Sequence, residues 1–273
     1  GILQDEKDEN HQLLNSWLYH EYGINETQQL LASNFKVRNE TEQLQILQHF
    51  LDWFRSMFPY FYDRCDLCGA SFREEPKDPE EEEEESTFLG YIYPSEEELK
   101  GNAGRTELYQ CHKCQAYTRF PRYNKVQAVL KRKRGRCGEY SMLIYRMLRA
   151  AGHEVRWVVD WSDHVWNEIL LNDKNWVHLD PCEAAVDNPL LYEGWGKQQT
   201  YILGFSSPSL GDKVTKHNIL KFAIVEDLTK KYTSDTQNTI NERREESPQE
   251  FVKALTKTTE ILRNYIYKSF SLL

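Results

Sequence analysis

The sequence predicts an α+β protein whose core packs a cysteine-bearing helix against an antiparallel sheet. A helical pattern starts at Cys137, directly after a turn that contains glycine. Three strand-like segments follow this helix, at residues 155–161, 164–171 and 175–180. A polar turn at residues 172–175 joins the last two segments into a predicted hairpin. The prediction also includes a four-cysteine metal module before this core and helices at the N- and C-terminal ends.

The composition bounds the class of protein. The chain has 273 residues, of which 40% are hydrophobic, so it can bury a core as one large domain or two modest ones. Its net charge of −9 argues against general attraction to nucleic acid or to anionic membranes. No apolar run approaches the roughly 20 residues that span a bilayer, and no signal peptide is recognisable. We therefore expect a cytoplasmic protein.

Helices are predicted at the two ends of the chain. Residues 1–60 form an N-terminal helical region, in which Leu47 and Phe50 belong to an apolar stripe at helical spacing. Residues 211–273 form a C-terminal region that ends in an amphipathic helix over about residues 247–268. Packing on the protein body is the favoured role for both apolar faces. Docking of a partner on the C-terminal helix is the alternative.

Residues 61–123 are predicted to form a metal-binding module. Four cysteines occur there as two C-x-x-C pairs: Cys65, Cys68, Cys111 and Cys114. Four thiolates suit one structural Zn²⁺ in a closed tetrahedral site, which leaves no position open for chemistry. His112 is a weaker alternative for one ligand. An acidic insert at about residues 76–87 lies between the pairs, and its run of glutamates favours a solvated, disordered loop.

Residues 124–210 are predicted to be the catalytic core, because three reactive residue types stand at its structural junctions. Cys137 opens a helix, where unpaired backbone N–H groups stabilise a thiolate. His164 begins one strand of the hairpin, and Asp180 ends the other. A cysteine nucleophile, a histidine base and an orienting aspartate together attack amide-like carbonyl carbons. His178 stays open as a rival base, since it shares a strand face with Asp180.

Four motifs surround these residues. They are Arg136-Cys137-Gly138-Glu139, Asp163-His164-Val165-Trp166, Trp176-Val177-His178-Leu179-Asp180 and residues 188–197. Together they resemble the cytoplasmic peptide:N-glycanases, a family of the transglutaminase-like superfamily. The resemblance covers about residues 53–205. It implies a transglutaminase-like (papain-like) core with a zinc module, and cleavage of the bond between asparagine and the first N-acetylglucosamine of misfolded glycoproteins.

The resemblance also implies roles for individual residues. It makes Cys137 the nucleophile, His164 the base and Asp180 its orienting partner. It implies that five further residues line a cleft for the chitobiose core of the glycan: Arg156, Trp166, Glu168, Trp176 and Glu183. Aromatic rings suit the apolar faces of sugars, and Arg and Glu suit their hydroxyl and acetamide groups. Core packing is the alternative for the tryptophans.

Three positions depart from the family pattern. The family usually has a second cysteine where Arg134 stands, and commonly a tryptophan where Tyr140 stands. It also usually has a tryptophan, thought to assist the oxyanion, just before the first metal-binding pair. No tryptophan is present there, and Tyr60 is the candidate that takes its place.

Partners follow from the resemblance as well. It implies a denatured N-glycoprotein as substrate, in ER-associated degradation, and a Rad23-type shuttle protein that leads to the proteasome. The basic run at residues 131–136 is better explained as a solvated approach to the helix than as a nucleic-acid site. Two alternatives stay open. One is a cysteine protease or transglutaminase with the same triad, and the other is a non-catalytic binding module on the transglutaminase fold.

Overall fold

The computed structural model describes residues 35–60, 65–70, 86–172, 174–207 and 224–271. The side chains of residues 150 and 269–271 are not described. The predictions for residues 1–34, for most of the acidic insert and for residues 208–223 lie outside these ranges. The described part combines helices with two antiparallel sheets, which confirms the α+β prediction.

Helix α1 (Glu40–Met57) is held at its start by its own sequence. The Asn39 side chain accepts a hydrogen bond from the Glu42 N–H at 3.0 Å, and Glu42 accepts one from the Asn39 N–H at 3.2 Å. This reciprocal cap satisfies donors that a helix N-terminus otherwise leaves open. Apolar side chains at helical spacing form its buried face: Leu47, Phe50, Leu51 and Phe54. A 3-10 turn, Phe35–Val37, precedes the helix.

A three-stranded antiparallel sheet forms the body of the metal module. Its strands, with the second in the centre, are β1 (Ser86–Ile92), β2 (Ala103–Cys111) and β3 (Tyr117–Tyr123). Helix α2 (Glu96–Lys100) joins β1 to β2. Cys111 ends β2, so the second C-x-x-C pair forms the turn into β3. A bulge between Phe88 and Gly90 interrupts the pairing of β1.

Two helices lead from the module into the core: α3 (Val126–Arg132) and α4 (Cys137–Ala150). Gly135 lies between them, and a Cβ atom at this position would come within 2.7 Å of the Glu139 Cβ. The glycine therefore allows the chain to pass close to the first turn of α4. The buried face of α4 includes Leu143, Ile144 and Leu148.

The core sheet has six antiparallel strands in the order β7-β6-β5-β4-β8-β9. These are β4 (Val155–Asp160), β5 (His164–Leu171), β6 (Asn175–Asp180), β7 (Ala185–Val186), β8 (Ile202–Phe205) and β9 (Val225–Asp227). Strands β5 and β6 form the predicted hairpin, with Glu168 opposite His178. Strand β9 comes from the predicted C-terminal region and completes this sheet.

The two faces of the core sheet enter different hydrophobic clusters. One face packs against α1 and α4 through Val155, Ile169, Leu171, Val177 and Leu179. The other face is covered by two 3-10 turns, Leu191–Trp195 and Thr229–Tyr232. It contributes to a second cluster, which consists of Val158, Trp166, Tyr192, Ile202, Leu228 and Tyr232. Successive residues of a strand point to opposite faces. His164, Trp166 and Glu168 therefore all belong to the second face.

The chain ends in helices α5 (Gln237–Arg243) and α6 (Pro248–Ser271). Phe251 is buried near the start of α6, where the Arg244 guanidinium lies 4.2 Å from its ring centroid. Farther along, α6 exposes the apolar side chains of Val252, Ile261 and Tyr265. Among the described helices, none is long and apolar enough to cross a membrane.

Candidate active site

Cys137 is the first residue of α4, and its side chain is half-buried. Arg136 precedes it in extended backbone, and the Arg136 N–H donates a hydrogen bond to the Glu139 carboxylate at 3.0 Å. The start of a helix carries unpaired N–H groups and partial positive charge, both of which favour a thiolate. Cys137 and His164 line the same cavity, which has a volume of about 400 Å³.

His164 and Asp180 form the buried part of the site. His164 Nε2 lies 2.7 Å from Asp180 Oδ2, across the neighbouring strands β5 and β6. The other carboxylate oxygen, Oδ1, accepts the backbone N–H groups of Cys182 at 2.8 Å and Glu183 at 3.3 Å. Burial would raise the pKa of Asp180, but the hydrogen bond and charge of His164 outweigh it and lower that pKa below its usual range. Asp180 is therefore ionised at neutral pH.

The electrostatics of His164 favour its protonated form. Burial alone would lower the pKa of His164, but its hydrogen bond to Asp180 and the neighbouring Cys137 thiol both act to raise that pKa. Together these interactions raise the pKa of His164 to about 9. The structure thus brings the three sequence-predicted residues together, with the imidazole between the carboxylate and the thiol.

His178, the rival base, occupies a different position. Its ring is fully buried, with Nε2 at 2.6 Å from the Tyr192 hydroxyl and Nδ1 accepting the Asn188 N–H at 3.4 Å. Burial lowers the pKa of His178 to about 4, so the ring is neutral at physiological pH. Asp180 contacts His164 directly. His164 is therefore the histidine that has both a carboxylate partner and a place at the cavity.

A buried charge network connects the first turn of α4 to the sheet of the metal module. Glu107 on β2 accepts hydrogen bonds from Arg136 at 2.7 Å, Arg122 at 3.1 Å and Tyr109 at 2.6 Å. Arg122 on β3 also donates to Glu139 at 2.6 Å. Arg136 and Glu139 flank the thiol, so this network sets the position of the metal module relative to the cysteine. The Arg122 side chain also lines the cavity.

Three of the five residues expected to contact sugar are buried instead. Trp166 has no exposed surface and stacks on Tyr192, with the ring centroids 4.4 Å apart. Glu168 has none either, and it accepts hydrogen bonds from Arg156 and, at 2.5 Å, from Lys231. Arg156 is 3% exposed. Their burial places all three in the packing and hydrogen bonding of the core, and contact with a sugar stays a prediction for them.

Strand alternation explains this burial. Cys137 approaches the sheet from the face that α1 and α4 cover, whereas Arg156, Trp166 and Glu168 point to the opposite face. His164 shares their face but stands at the first position of β5, where it reaches the cavity around the end of the strand. The alternation in the sequence correctly grouped these residues on one face. It did not reveal which face meets the cysteine helix.

The other predicted residues stay predictions. Trp176 is half-buried, with the Arg156 guanidinium 4.4 Å from its ring centroid, and Glu183 is exposed in the turn after β6. Tyr60, the oxyanion candidate, pairs through its backbone with Gly135, two residues before the cysteine. Its ring is half-buried against the cluster beneath α4.

Two tryptophans that were not predicted from the sequence line the cavity, and a third contacts His164 beside it. Trp157 and Trp161 line it together with His164 and are 37% and 66% exposed. Trp195 is 44% exposed, and its ring meets that of His164 edge-on at a centroid distance of 5.1 Å. The sequence signal for the first two was their position, because the end of β4 pairs with the start of β5, with Asp160 opposite His164.

A larger cavity of about 730 Å³ adjoins the first one. The two cavities share Arg122, Gly138 and Trp157 in their walls. The larger cavity lies between the module sheet, α4 and the β4–β8 side of the core, where Tyr145 and Phe205 contribute to its walls. An extended groove therefore passes beside the thiol, with room for more than one part of a large substrate.

The four predicted metal ligands lie together. The Sγ atoms of Cys65, Cys68, Cys111 and Cys114 all lie within 4.8 Å of one another. Two of the separations are 3.6 Å (Cys65 to Cys114) and 3.8 Å (Cys68 to Cys111). Tetrahedral Zn–S bonds of about 2.3 Å require sulfur separations of about 3.8 Å. The donor set therefore fits one tetrahedral metal ion held entirely by protein ligands.

The surroundings of the cluster support this assignment. In both C-x-x-C turns, the N–H of the first cysteine donates to the carbonyl five residues later, that of Ala70 at 2.8 Å and that of Ala116 at 2.9 Å. His112, the alternative ligand, instead hydrogen-bonds through Nε2 to Thr87 at 2.6 Å. The basic run also contacts the module, because Arg132 and Arg134 both pair with Asp66 between the first two cysteines.

Comparisons with known proteins identify sequences and structures that are similar to this chain. The model of the transglutaminase-like superfamily matches residues 94–181. Several curated relatives carry the name peptide-N(4)-(N-acetyl-beta-glucosaminyl)asparagine amidase. The one from Gallus gallus is 35% identical over 219 residues, which are 78% of this chain and 32% of the relative. The one from Oryza sativa is 37% identical over 182 residues, covering 66% of this chain and 38% of the relative.

The relative from Homo sapiens is 33% identical over 207 residues, covering 74% of this chain and 30% of the relative. This chain thus spans about a third of the length of the curated relatives it matches. Among solved structures, a Rad4–Rad23 complex bound to a 6-4 photoproduct UV lesion is similar at a TM-score of 0.47 and 10% identity. That match covers 95% of this chain and 55% of the other.

Proposed function

Because this chain belongs to the peptide:N-glycanase family of the transglutaminase-like superfamily, we propose that it hydrolyses the bond between asparagine and the first N-acetylglucosamine of N-glycoproteins. The observation that carries the proposal is the connected set of Cys137, His164 and Asp180 beside a cavity walled by exposed tryptophans. This set offers a nucleophile, a proton carrier and an orienting carboxylate.

In the first half of the reaction, the Cys137 thiolate attacks the side-chain carbonyl carbon of the glycosylated asparagine. The carbon–nitrogen bond breaks while His164 donates its proton to the departing nitrogen, which leaves as the glycosylamine. The aspartyl group remains on sulfur as a thioester. In the second half, His164 takes a proton from water, and the water oxygen attacks the thioester and releases aspartate. The glycosylamine then hydrolyses in solution to the free glycan and ammonia.

The carbonyl oxygen becomes negatively charged in both halves and needs hydrogen-bond donors. We propose the backbone N–H at the start of α4 as one donor and Tyr60 as the other, since the Tyr60 backbone pairs with Gly135, two residues before Cys137. Arg122 in the cavity wall adds a fixed positive charge. Loss of one such donor lowers kcat by about 10²-fold. A Tyr60→Phe variant with wild-type kcat would remove Tyr60 from this role.

The groove offers two kinds of surface to a glycoprotein. Trp157, Trp161 and Trp195 present aromatic faces near the reacting atoms, which suit the apolar faces of sugar rings. The larger cavity beyond them is open to the polypeptide on either side of the asparagine. We expect Trp161→Ala to raise KM for a glycopeptide severalfold. Tyr93→Ala, which removes an aromatic ring that is 95% exposed on the metal module, should leave KM unchanged.

The metal of the module is proposed to be Zn²⁺, held by the four cysteines in a structural role. When bound, it supplies no chemistry to the reaction, because all four coordination positions belong to the protein. The cysteine side chains close the two turns against each other and so fix the sheet that carries Glu107 and Arg122.

In the cell, we propose that the protein acts in the cytoplasm on misfolded N-glycoproteins in ER-associated degradation, together with a Rad23-type shuttle protein that leads to the proteasome. The support for a docking partner is the exposed apolar surface of α6, which includes Val252, Ile261 and Tyr265. Ile261→Glu should weaken capture of a purified Rad23-type protein. Lys257→Ala, an exposed change on the same helix, should have no effect.

The decisive experiment is mass spectrometry of a denatured N-glycopeptide after incubation with the protein. Conversion of the glycosylated asparagine to aspartate, with release of the intact glycan, is the expected result. Cys137→Ala should abolish it, and Cys182→Ala should retain it, because Cys182 is a buried thiol whose side chain has no part in the mechanism. Cleavage of peptide bonds without glycan release would favour a protease. Binding of duplex DNA without either reaction would favour a binding module.

A further inference from the structure

Asp180 receives a hydrogen bond that the proposed triad does not explain. Its Oδ2 atom accepts from His164 Nε2 at 2.7 Å and also from the Tyr192 hydroxyl at 2.9 Å. Tyr192 lies in the 3-10 turn after β7, outside the helix and strands that carry the reactive residues, and it is fully buried. Its oxygen also lies 2.6 Å from His178 Nε2. A continuous chain of hydrogen bonds therefore runs from His178 through Tyr192 and Asp180 to His164.

His178, at the far end of this series of hydrogen bonds, determines which group donates and which accepts in each of them. Nδ1 of His178 accepts the Asn188 N–H, so the proton of the neutral ring resides on Nε2. That Nε2–H donates to the Tyr192 oxygen, which leaves the hydroxyl proton of Tyr192 to point at Asp180. An ionised carboxylate is only an acceptor. The hydrogen bonds from His178 to Tyr192 and from Tyr192 to Asp180 are therefore both directed towards the carboxylate.

We propose that Tyr192 is a positioning residue, whose hydroxyl, oriented by His178, keeps the Asp180 carboxylate aligned on His164. The effect on kcat that this proposal predicts rests on the proposed function. The physical basis is the full set of donors around a buried carboxylate. Oδ1 has two backbone N–H donors and Oδ2 has His164 and Tyr192. Without the hydroxyl, Oδ2 keeps a single donor and the carboxylate is held less firmly against the imidazole.

The charges around Asp180 agree with this role. The titratable groups that face it are His164, His178, Tyr192 and Cys182. Burial lowers the pKa of His178 to about 4, and burial raises the pKa of both Tyr192 and Cys182 well above their ordinary values. All three are therefore uncharged near neutral pH. Loss of the Tyr192 donor removes one of the interactions that lower the pKa of Asp180, so this pKa rises and activity is lost at a higher pH on the acid side.

The test compares Tyr192→Phe with a matched variant, Tyr232→Phe. Tyr232 is also fully buried in the same aromatic cluster, and its hydroxyl donates to a different carboxylate, Glu168, at 2.6 Å. Two readouts are measured across pH: kcat and KM for glycopeptide cleavage, and the rate at which iodoacetamide alkylates Cys137, located by peptide mapping. A hydrogen bond to a charged group contributes about a tenfold effect.

Tyr192→Phe should lower kcat about tenfold with little change in KM, and should move the acid limb of both profiles to higher pH. Tyr232→Phe should leave both profiles in place. Alkylation separates this proposal from the proposed function: a shifted alkylation profile in a protein that cleaves no glycan would support Tyr192 and reject the glycanase activity. Wild-type profiles in Tyr192→Phe would overturn the proposal.

If Tyr192→Phe does not fold by circular dichroism, His178→Phe provides the second test. This change removes the donor that orients Tyr192 and leaves every direct contact of Asp180 in place. A shift in the same direction, but smaller, is expected. An unchanged alkylation profile in folded His178→Phe would reject the proposal as well.

Discussion

Replacement of Asp180 by asparagine is the sharpest test of the electrostatics at this site. Asparagine keeps the size of the side chain but removes the charge that, with Cys137, holds the pKa of His164 at about 9. Burial is then opposed by Cys137 alone, so the pKa of His164 falls from about 9 towards its ordinary value of 6.5. A full return to 6.5 corresponds to about 3 kcal/mol, or about a 300-fold weaker tendency of His164 to hold its proton. We therefore expect kcat to fall by up to about 300-fold.

The assay pairs steady-state deglycosylation with an NMR titration of the His164 ring. Asp187→Asn is the matched control, because Asp187 is exposed, lies just after β7 and has left-handed backbone (φ 51°) that asparagine also adopts. The control should keep wild-type activity and the wild-type titration. If Asp180→Asn retained kcat within tenfold of wild type, or if His164 still titrated near 9, the assigned role of Asp180 would be refuted.

Three further predictions concern stability and the metal module. Removal of the metal by a chelator should abolish activity, because the module that positions α4 loses its structure. Activity that returns on addition of Zn²⁺, but not of Mg²⁺, would identify the ion. Glu107→Gln should lower the free energy of unfolding by about 3 kcal/mol in urea denaturation and reduce kcat, since two arginines lose their buried partner, whereas exposed Glu97→Gln should change neither. The raised pKa of His164 stabilises the folded state while the ring is charged. This contribution to the free energy of unfolding should be complete below about pH 6.5 and should disappear as the pH rises through about 9. Urea midpoints that do not change between these two pH values would contradict this prediction.

The candidate catalytic residues could be proposed from the sequence because each is local to a recognisable junction. Cys137 follows a glycine turn, His164 starts a strand, and Asp180 ends the next strand, so a hairpin brings the last two together. The four metal-binding cysteines could also be predicted from the sequence, since two C-x-x-C pairs are the spacing that a tetrahedral metal site requires. These inferences needed only short-range patterns.

Other features depended on information that short-range patterns do not contain. Alternation groups Arg156, Trp166 and Glu168 on one face of the sheet, but only the packing of α4 decides which face meets the cysteine. The network of Glu107 and Arg122 joins charges from separate elements, and no sequence spacing indicates that they pair. The contact of Tyr192 with Asp180 is of the same kind. Such pairs are set by tertiary packing between elements distant in sequence.

The ends of the two sheets have a consequence for a protein proposed to act on unfolded chains. A long, regular edge strand recruits extended polypeptide by backbone pairing, and would hold a denatured substrate after reaction. The core sheet ends in strands of two and three residues, β7 and β9. In the module sheet, the Phe88–Gly90 bulge breaks one edge, and Pro121, which has no N–H to donate, lies in the other. These described edges limit trapping of the product and so favour repeated turnover.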